Sequence, residues 1–511
     1  MLKAIEMKKI TLIISAVVLF ALSSCDLSLY PETSYNEGNV TVEEESETQY
    51  STRADMLGLR NAIYNSYVKN IQEAGFSDWL VYSECRADNA YCGSPSTGEI
   101  AAIEGNNVDG ENKNVDRDWD YFLGQVSNAN QIICNIDRIK ESDPSLTQTE
   151  YEEWKSEALC WRAYNLFFMS RLWGDIPMVT TIPPAITSEN IEEVYDEYFP
   201  ARTPIKDVYD QIIKDLEFAS EYGPQPNVAD GGNKYLLSRA FAAGLLARVY
   251  AEKTAQDWGQ VKKYCEQVEA YGFKLCDNYG DLWAYDDNDA RRNTTESIFE
   301  VTWSRDQGNW VWMMFHRNYY NKDDSYTWAK WITPSRDLIA AYDKEGDTER
   351  KNASIIYDKC SWSHYYPSDN YAFMHKCPTN ASSTVLMRLG EIYLLHAEAL
   401  AMEGNFSETD GATFYVNKIR ERAGLNPVSK PSSQDEMIDI ILKERRLELA
   451  FEGFRFFDLV RHDRAKAVHD AMPSKDSYWQ TRYPLSDETI LMPIPTAEMD
   501  NNPSLVQNPG Y

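Results

Sequence analysis

Leu442-Lys443-Glu444-Arg445-Arg446-Leu447-Glu448-Leu449-Ala450-Phe451-Glu452-Gly453-Phe454-Arg455-Phe456-Phe457-Asp458-Leu459-Val460-Arg461 is the stretch from which the fold of this chain is read. Leu447, Ala450, Phe451, Phe454 and Phe457 recur at spacings of three and one, an apolar stripe of the kind a helix buries. Glu452 and Arg455 stand three apart, where side chains on one helical face can pair. The spacing predicts a helix with a scaffold role, one that needs other helices to cover its stripe.

Such helices lie upstream, and several come as adjacent pairs. From about 386 to 422, Leu389, Tyr393, His396, Ala397 and Leu400 share one face, Gly404-Asn405 turns the chain, and Ala412, Val416 and Ile419 follow. From 238 to about 271, Ala240, Ala243, Gly244, Ala247 and Tyr250 form a strip of small residues that admits a close neighbour, with Trp258, Val261, Cys265 and Val268 on the next helix. Looser helical segments at about 54–70, 118–140, 150–172 and 203–221 form two more pairs. Pairs of this kind cannot bury their apolar faces alone and must stack. The expected fold is mainly α, a scaffold of tetratricopeptide-like helix pairs.

Between about 272 and 383 the pattern breaks. Runs such as Tyr285-Asp286-Asp287-Asn288-Asp289 and Tyr365-Tyr366-Pro367-Ser368-Asp369 interrupt any helix, and seven of the 14 Trp fall here: Trp283, Trp303, Trp310, Trp312, Trp328, Trp331 and Trp362. This loop-rich, aromatic-rich insert is the expected binding face.

At the other end, Lys8 and Lys9 precede an apolar run from Ile10 to Leu22, about 13 residues where a membrane span needs roughly 20. Leu22-Ser23-Ser24-Cys25 fits a lipobox, so residues 1–24 read as a lipoprotein signal peptide and Cys25 as the acylated new N-terminus. Residues 25–52 are polar, with Glu43, Glu44, Glu45 and Glu47 clustered, and read as a flexible tether. Multiple acyl chains, at about 0.8 kcal/mol per buried methylene, anchor a protein without a transmembrane helix. The net charge of −30 and pI near 4.6 exclude a phosphate-tracking surface, so nucleic acid is not an expected partner. The eight other cysteines show no metal-type spacing and do not read as a disulfide framework, and Cys134, Cys160 and Cys265 are expected on buried helix faces.

The stretch 442–461 closely resembles the signature segment of SusD/RagB proteins. Arg388-Leu389-Gly390-Glu391-Ile392-Tyr393-Leu394-Leu395-His396-Ala397-Glu398-Ala399 is similar to the family's preceding repeat helix, and Val416-Asn417-Lys418-Ile419-Arg420-Glu421-Arg422-Ala423-Gly424-Leu425 to its partner. Arg162-Ala163-Tyr164-Asn165 with Trp173-Gly174-Asp175-Ile176-Pro177, and Leu491-Met492-Pro493-Ile494-Pro495 with the closing Asn508-Pro509-Gly510-Tyr511, extend the resemblance over nearly the whole chain. It implies one SusD-like domain over 53–511 and a non-catalytic role: holding oligosaccharides at the outer-membrane surface, as a lid on a TonB-dependent transporter of the SusC type.

A sugar presents an apolar face of C–H groups and a fringe of hydroxyls, which flat aromatics and planar polar groups complement. The expected platforms are Trp283, Trp310, Trp312, Tyr319, Tyr320, Trp328 and Trp331, because helix-breaking neighbours put them in surface loops. Arg86 and Asp88, after a helix-like run from Trp79 to Cys85, resemble a family segment near the ligand face and are the expected hydroxyl partners. No cofactor is expected, and Asp286, Asp287, Asn288 and Asp289 are the one cluster of hard oxygen ligands suited to a structural Ca²⁺. Rival readings are a glycoside hydrolase, which needs two carboxylates with one pKa raised, and a surface lipoprotein that binds peptide or another nutrient or acts as an adhesin. No metallohydrolase, serine-hydrolase or phosphate-loop motif occurs.

Overall fold

Thr52 and Thr147 open two helices with the same signal. Each threonine side chain accepts the N–H three residues on, while the acid at that position, Asp55 or Glu150, reaches back to the cap's own N–H. Ser238, Asp257 and Ser433 cap further helices through the N–H groups of Phe241, Gln260 and Glu436. These caps are seen in a computed structural model that describes residues 50–92, 98–187, 189–286, 289–304, 308–309, 331–360, 365–479 and 482–511.

The longer helices of the first half are α1 (Arg53–Asn70), α2 (Lys113–Ile133), α3 (Gln148–Trp173), α4 (Ile205–Tyr222), α5 (Arg239–Ala251) and α6 (Trp258–Ala270). The expected pairs are there, and each helix packs on the next. The stack then continues across a long gap in sequence: α6 packs on α7 (Leu389–Met402), which carries α8 (Ala412–Arg422) and α9 (Gln434–Glu448). Trp119, Trp161 and Trp173 are fully buried in the resulting core. Gly244 on α5 shows why its strip is small, since a Cβ there would fall inside van der Waals contact of Met387. Among the described residues no helix is long and apolar enough to cross a membrane.

Among the described residues two antiparallel strand pairs tie the 272–383 insert to this stack and a third lies within it. They are β1 (Ala90–Cys92) with β3 (Ile332–Pro334), β2 (Ser297–Val301) with β6 (Thr384–Arg388), and β4 (Ile355–Asp358) with β5 (Tyr371–Met374). The insert is therefore no separate unit: Phe299 of β2 lies in the main core against Phe241, and the Tyr279 hydroxyl donates to the Glu448 carbonyl at 2.7 Å.

The stretch 442–461 departs from expectation. It is not one helix: α9 ends at Glu448, and α10 runs over Arg455–Arg461. Between them the backbone turns left-handed at Phe451 (φ 63°) and Gly453 (φ 88°). Glu84 stabilises that turn by accepting the N–H groups of Phe451 and Gly453, both at 3.1 Å, and Trp79 Nε1 donates to the Gly453 carbonyl at 3.0 Å. The Trp79 indole also leaves no room for a Cβ at Gly453. Nor do Glu452 and Arg455 pair with each other. Glu452 accepts from Arg388 at 2.7 and 2.8 Å and from Lys376 at 2.6 Å, while Arg455 binds Asp88 at 2.8 and 3.1 Å.

Arg388 is the centre of a buried ionic cluster. Besides Glu452 it contacts Glu296 at 2.7 Å and Glu448 at 2.6 Å, and Glu448 is shared with Arg422 and with Arg350, the latter at 3.2 Å. Taking so many charges out of water is costly, and only saturation with opposite charge and hydrogen bonds makes it tolerable. Cys160 and Cys265 are buried as expected, but Cys134 is exposed, because it follows the last residue of α2, where the helix's apolar face ends.

Candidate functional site

β1 and β3 set Tyr91 beside Thr333. The Tyr91 ring stacks on Tyr365 with centroids 4.6 Å apart and planes 5° apart, and Trp479 closes the other side at 5.0 Å. These rings are buried, and their polar tips are all engaged. The Tyr91 hydroxyl donates to Asp476 and accepts the Arg336 N–H at 3.0 Å, and the Tyr365 hydroxyl donates to the Cys92 carbonyl at 2.6 Å. Burial pushes the Tyr91 phenol well above its ordinary range, so it stays neutral.

On this rigid base stands an open edge. Ser335 caps the helix Arg336–Glu345 by accepting the Leu338 N–H at 3.0 Å, which fixes Arg336 at its first turn. The Arg336 guanidinium lies 4.5 Å from the centre of the Tyr478 ring and 4.6 Å from that of Tyr366, and it donates to the Tyr365 carbonyl. Tyr366 is itself held by a 2.7 Å bond from its hydroxyl to the Pro334 carbonyl. Tyr478 is 45% exposed and the Arg336 side chain 39%. Two half-exposed rings and a planar cation on a preorganised footing can cover an apolar face and donate to adjacent hydroxyls at once.

The residues expected from sequence fare differently. Arg86 is 1% exposed: its guanidinium donates to the Thr489 carbonyl at 2.8 Å and the Ile490 carbonyl at 3.1 Å and lies over Phe456. Asp88 is equally sealed, and Arg446 and Arg455 hold its carboxyl well below the usual range against the cost of burial. Neither faces a ligand, because each is the missing half of a tertiary contact. Trp283 is also buried, under the Lys376 ammonium 5.0 Å from its ring, and so offers no surface platform. Trp331 is half-buried against the main core.

Trp310, Trp312, Tyr319, Tyr320, Trp328 and the lipobox Cys25 lie outside the described residues, as do Asp287 and Asn288 of the acidic cluster. Asp289 pairs with Arg292 at 2.8 Å, and no group of three or more metal-ligating side chains is gathered among the described residues. Arg336, Tyr366 and Tyr478 escaped sequence reasoning. The signal for Arg336 was present in Pro334-Ser335, a strand end followed by a cap, but Tyr478 lies far outside the insert and only the fold brings it there.

Two family models match this chain, one described as "SusD family" over residues 375–511 and one as "Starch-binding associating with outer membrane" over residues 42–251. The chain belongs to the SusD/RagB family. It is similar to a SusD-like protein of Bacteroides ovatus, 25% identical over an alignment of 391 positions that spans 68% of this chain and 65% of that protein. A second relative, SusD-like protein P2 of Formosa agariphila, is 25% identical over an alignment of 517 positions, gaps included, that spans 91% of this chain and 94% of that protein. Among solved structures, surface glycan-binding protein A from Bacteroides fluxus superposes with a TM-score of 0.73 at 21% identity, over 90% of this chain and 100% of that one. The helix stack of this SusD/RagB protein is thus the fold of its relatives.

Proposed function

We propose that this SusD/RagB protein captures carbohydrate at the outer membrane, anchored by acyl chains on Cys25, and passes it uncleaved to a TonB-dependent transporter of the SusC type. The observation that carries the reading is the exposed edge of Tyr478, Arg336 and Tyr366 on its buried aromatic base, which has the chemistry a sugar ring demands. The family supports it, through one model described by starch binding and a relative named for glycan binding. Asp118, one carboxyl that burial pushes up to about 7, does not offer a general acid. It is fully buried, takes the Tyr82 hydroxyl at 2.9 Å, and is out of reach of any substrate.

Calorimetry of the protein from residue 26 onward against maltoheptaose, soluble starch, laminarin and xyloglucan tests capture. Saturable binding of at least one, lost about tenfold or more in Arg336→Ala, is the expected result. Shorter oligosaccharides appearing on long incubation would replace capture with hydrolysis. A native-membrane purification that yields no barrel partner would remove the transporter, and release of the protein into the soluble fraction in Cys25→Ala checks the anchor.

A further inference from the structure

A second open cleft, of about 890 Å³, lies along α1 and shares no residue with the Tyr478 edge. Its wall is made by Arg60, Asn61, Tyr64 and Asn65, its rim by Tyr235, and its far side by Trp303 at the end of β2. Asn61 and Asn65 stand one helical turn apart, both exposed, with Tyr64 between them. Tyr235 is 40% exposed and meets Tyr64 edge to face at 5.7 Å and 83°.

The cleft is built rather than incidental. Glu157, buried on α3, accepts from Arg60 at 2.5 and 2.8 Å and from the Tyr64 hydroxyl at 2.6 Å, so both wall residues are held from behind. The Tyr67 hydroxyl donates to the Tyr235 carbonyl at 2.7 Å and fixes the rim. Trp303 is 7% exposed and its carbonyl is held by Arg292 at 2.6 Å, so the far side is packed into the body.

The charges in this cleft cancel, since the Arg60 guanidinium is matched by Glu157. What remains is an exposed ring and two amides that each donate and accept, in a volume near the top of the roughly 300–1,000 Å³ range of small-molecule sites. Anions and cations have no counter-charge to meet here, and a lipid chain would leave the amides unpaired. From this we infer that the α1 cleft is a second carbohydrate site, one that takes a neutral stretch of several sugar rings apart from the Tyr478 edge. The inference rests on the capture reading above. Two separated sites on one chain raise retention on a polymer by effective concentration, with little gain on a ligand too short to reach both.

Tyr235→Ala combined with Asn65→Ala tests it. The Tyr235 contact that fixes the rim comes from its carbonyl, so the side chains can be removed without it, and an unchanged melting temperature confirms that the fold survives. Measured by affinity electrophoresis in soluble starch, laminarin and xyloglucan gels, the double variant should lose retention about 3- to 10-fold on the polymer that wild type binds, with the calorimetric stoichiometry of a bound oligosaccharide falling from two to one. Retention and stoichiometry equal to wild type, with Arg336→Ala still defective, would overturn the second site and leave capture standing. If wild type itself binds none of these glycans, both readings fall together.

Discussion

Arg171 and Arg336 are both arginines stacked on aromatic rings, and they do opposite things. Arg171 lies 4.3 to 4.8 Å from the centres of Phe167, Phe457, Phe168 and Trp79, its side chain 8% exposed, with Glu252 3.8 Å away. Burial draws its pKa down to about 10, only partly offset by Glu252. Arg336 meets two rings at the same separation with its side chain 39% exposed. Residue type and stacking distance therefore do not distinguish structural from ligand-facing. What covers the pair does: a sealed cation glues elements together, whereas an open one keeps a free edge for a partner.

The largest effect expected from that contrast is at a cation sealed among buried carboxylates. Arg388→Ala would strip the shared partner from Glu296, Glu448 and Glu452, all buried, and should cost about 3–5 kcal/mol in urea unfolding. A loss under about 1 kcal/mol would mean the cluster relaxes or admits water, and sealing would then not mark a structural role.

Sealed regions should also resist any new charge, which His469 can show. Its Nε2 lies 2.9 Å from the Tyr483 carbonyl, and its Nδ1 lies 3.2 Å from both the Arg86 carbonyl and Arg482 Nη1. Burial first, then Arg482, lowers its pKa to about 4. Between pH 6.5 and 4 the unfolded chain therefore binds a proton that the native one refuses. Stability from this group is complete above pH 6.5 and falls as the pH drops, by about 3 kcal/mol in all. His469→Gln should flatten that part of the urea-midpoint profile, and parallel profiles for variant and wild type would reject the assignment.

Arg171 comes next, at about 2 kcal/mol for Arg171→Ala, because four rings lose a packed guanidinium and stem. Arg171→Met, which keeps the stem, should recover part of it, and glycan affinity should not change in either. A binding defect at unchanged stability would break the contrast with Arg336.

How far these roles were legible depends on where each residue's partner lies. Pairs such as α5 with α6 are written within a few residues and were readable. The break at Phe451 and Gly453 was not, because the carboxylate that holds it, Glu84, arrives from the far end of the chain. For the same reason Arg86 and Asp88 looked free: their partners are the Thr489 and Ile490 carbonyls and the guanidiniums of Arg446 and Arg455. The insert was recognisable by its tryptophans, yet Trp283 and Trp303 are buried, and the exposed ring beside Arg336 comes from Tyr478. Composition marked one aromatic-rich stretch, and tertiary packing decided which of its rings are sealed and brought Tyr478 to it from outside.

The smallest stability effect belongs to the open side of the contrast, and it is the most discriminating. Arg336→Ala should cost under about 1 kcal/mol, since its link to Asp476 is long at 3.4 Å and solvent reaches the guanidinium. Tyr91 keeps its backbone partner, the Arg336 N–H, in that variant, so the base beneath the edge survives. Binding should nevertheless fall about tenfold, and Arg336→Lys should restore little of it, because an ammonium reproduces the charge without the plane that stacks on Tyr366 and Tyr478. Full rescue by lysine would show that the edge attracts its ligand by charge alone, which a neutral sugar cannot supply, and the face would then belong to an anionic partner.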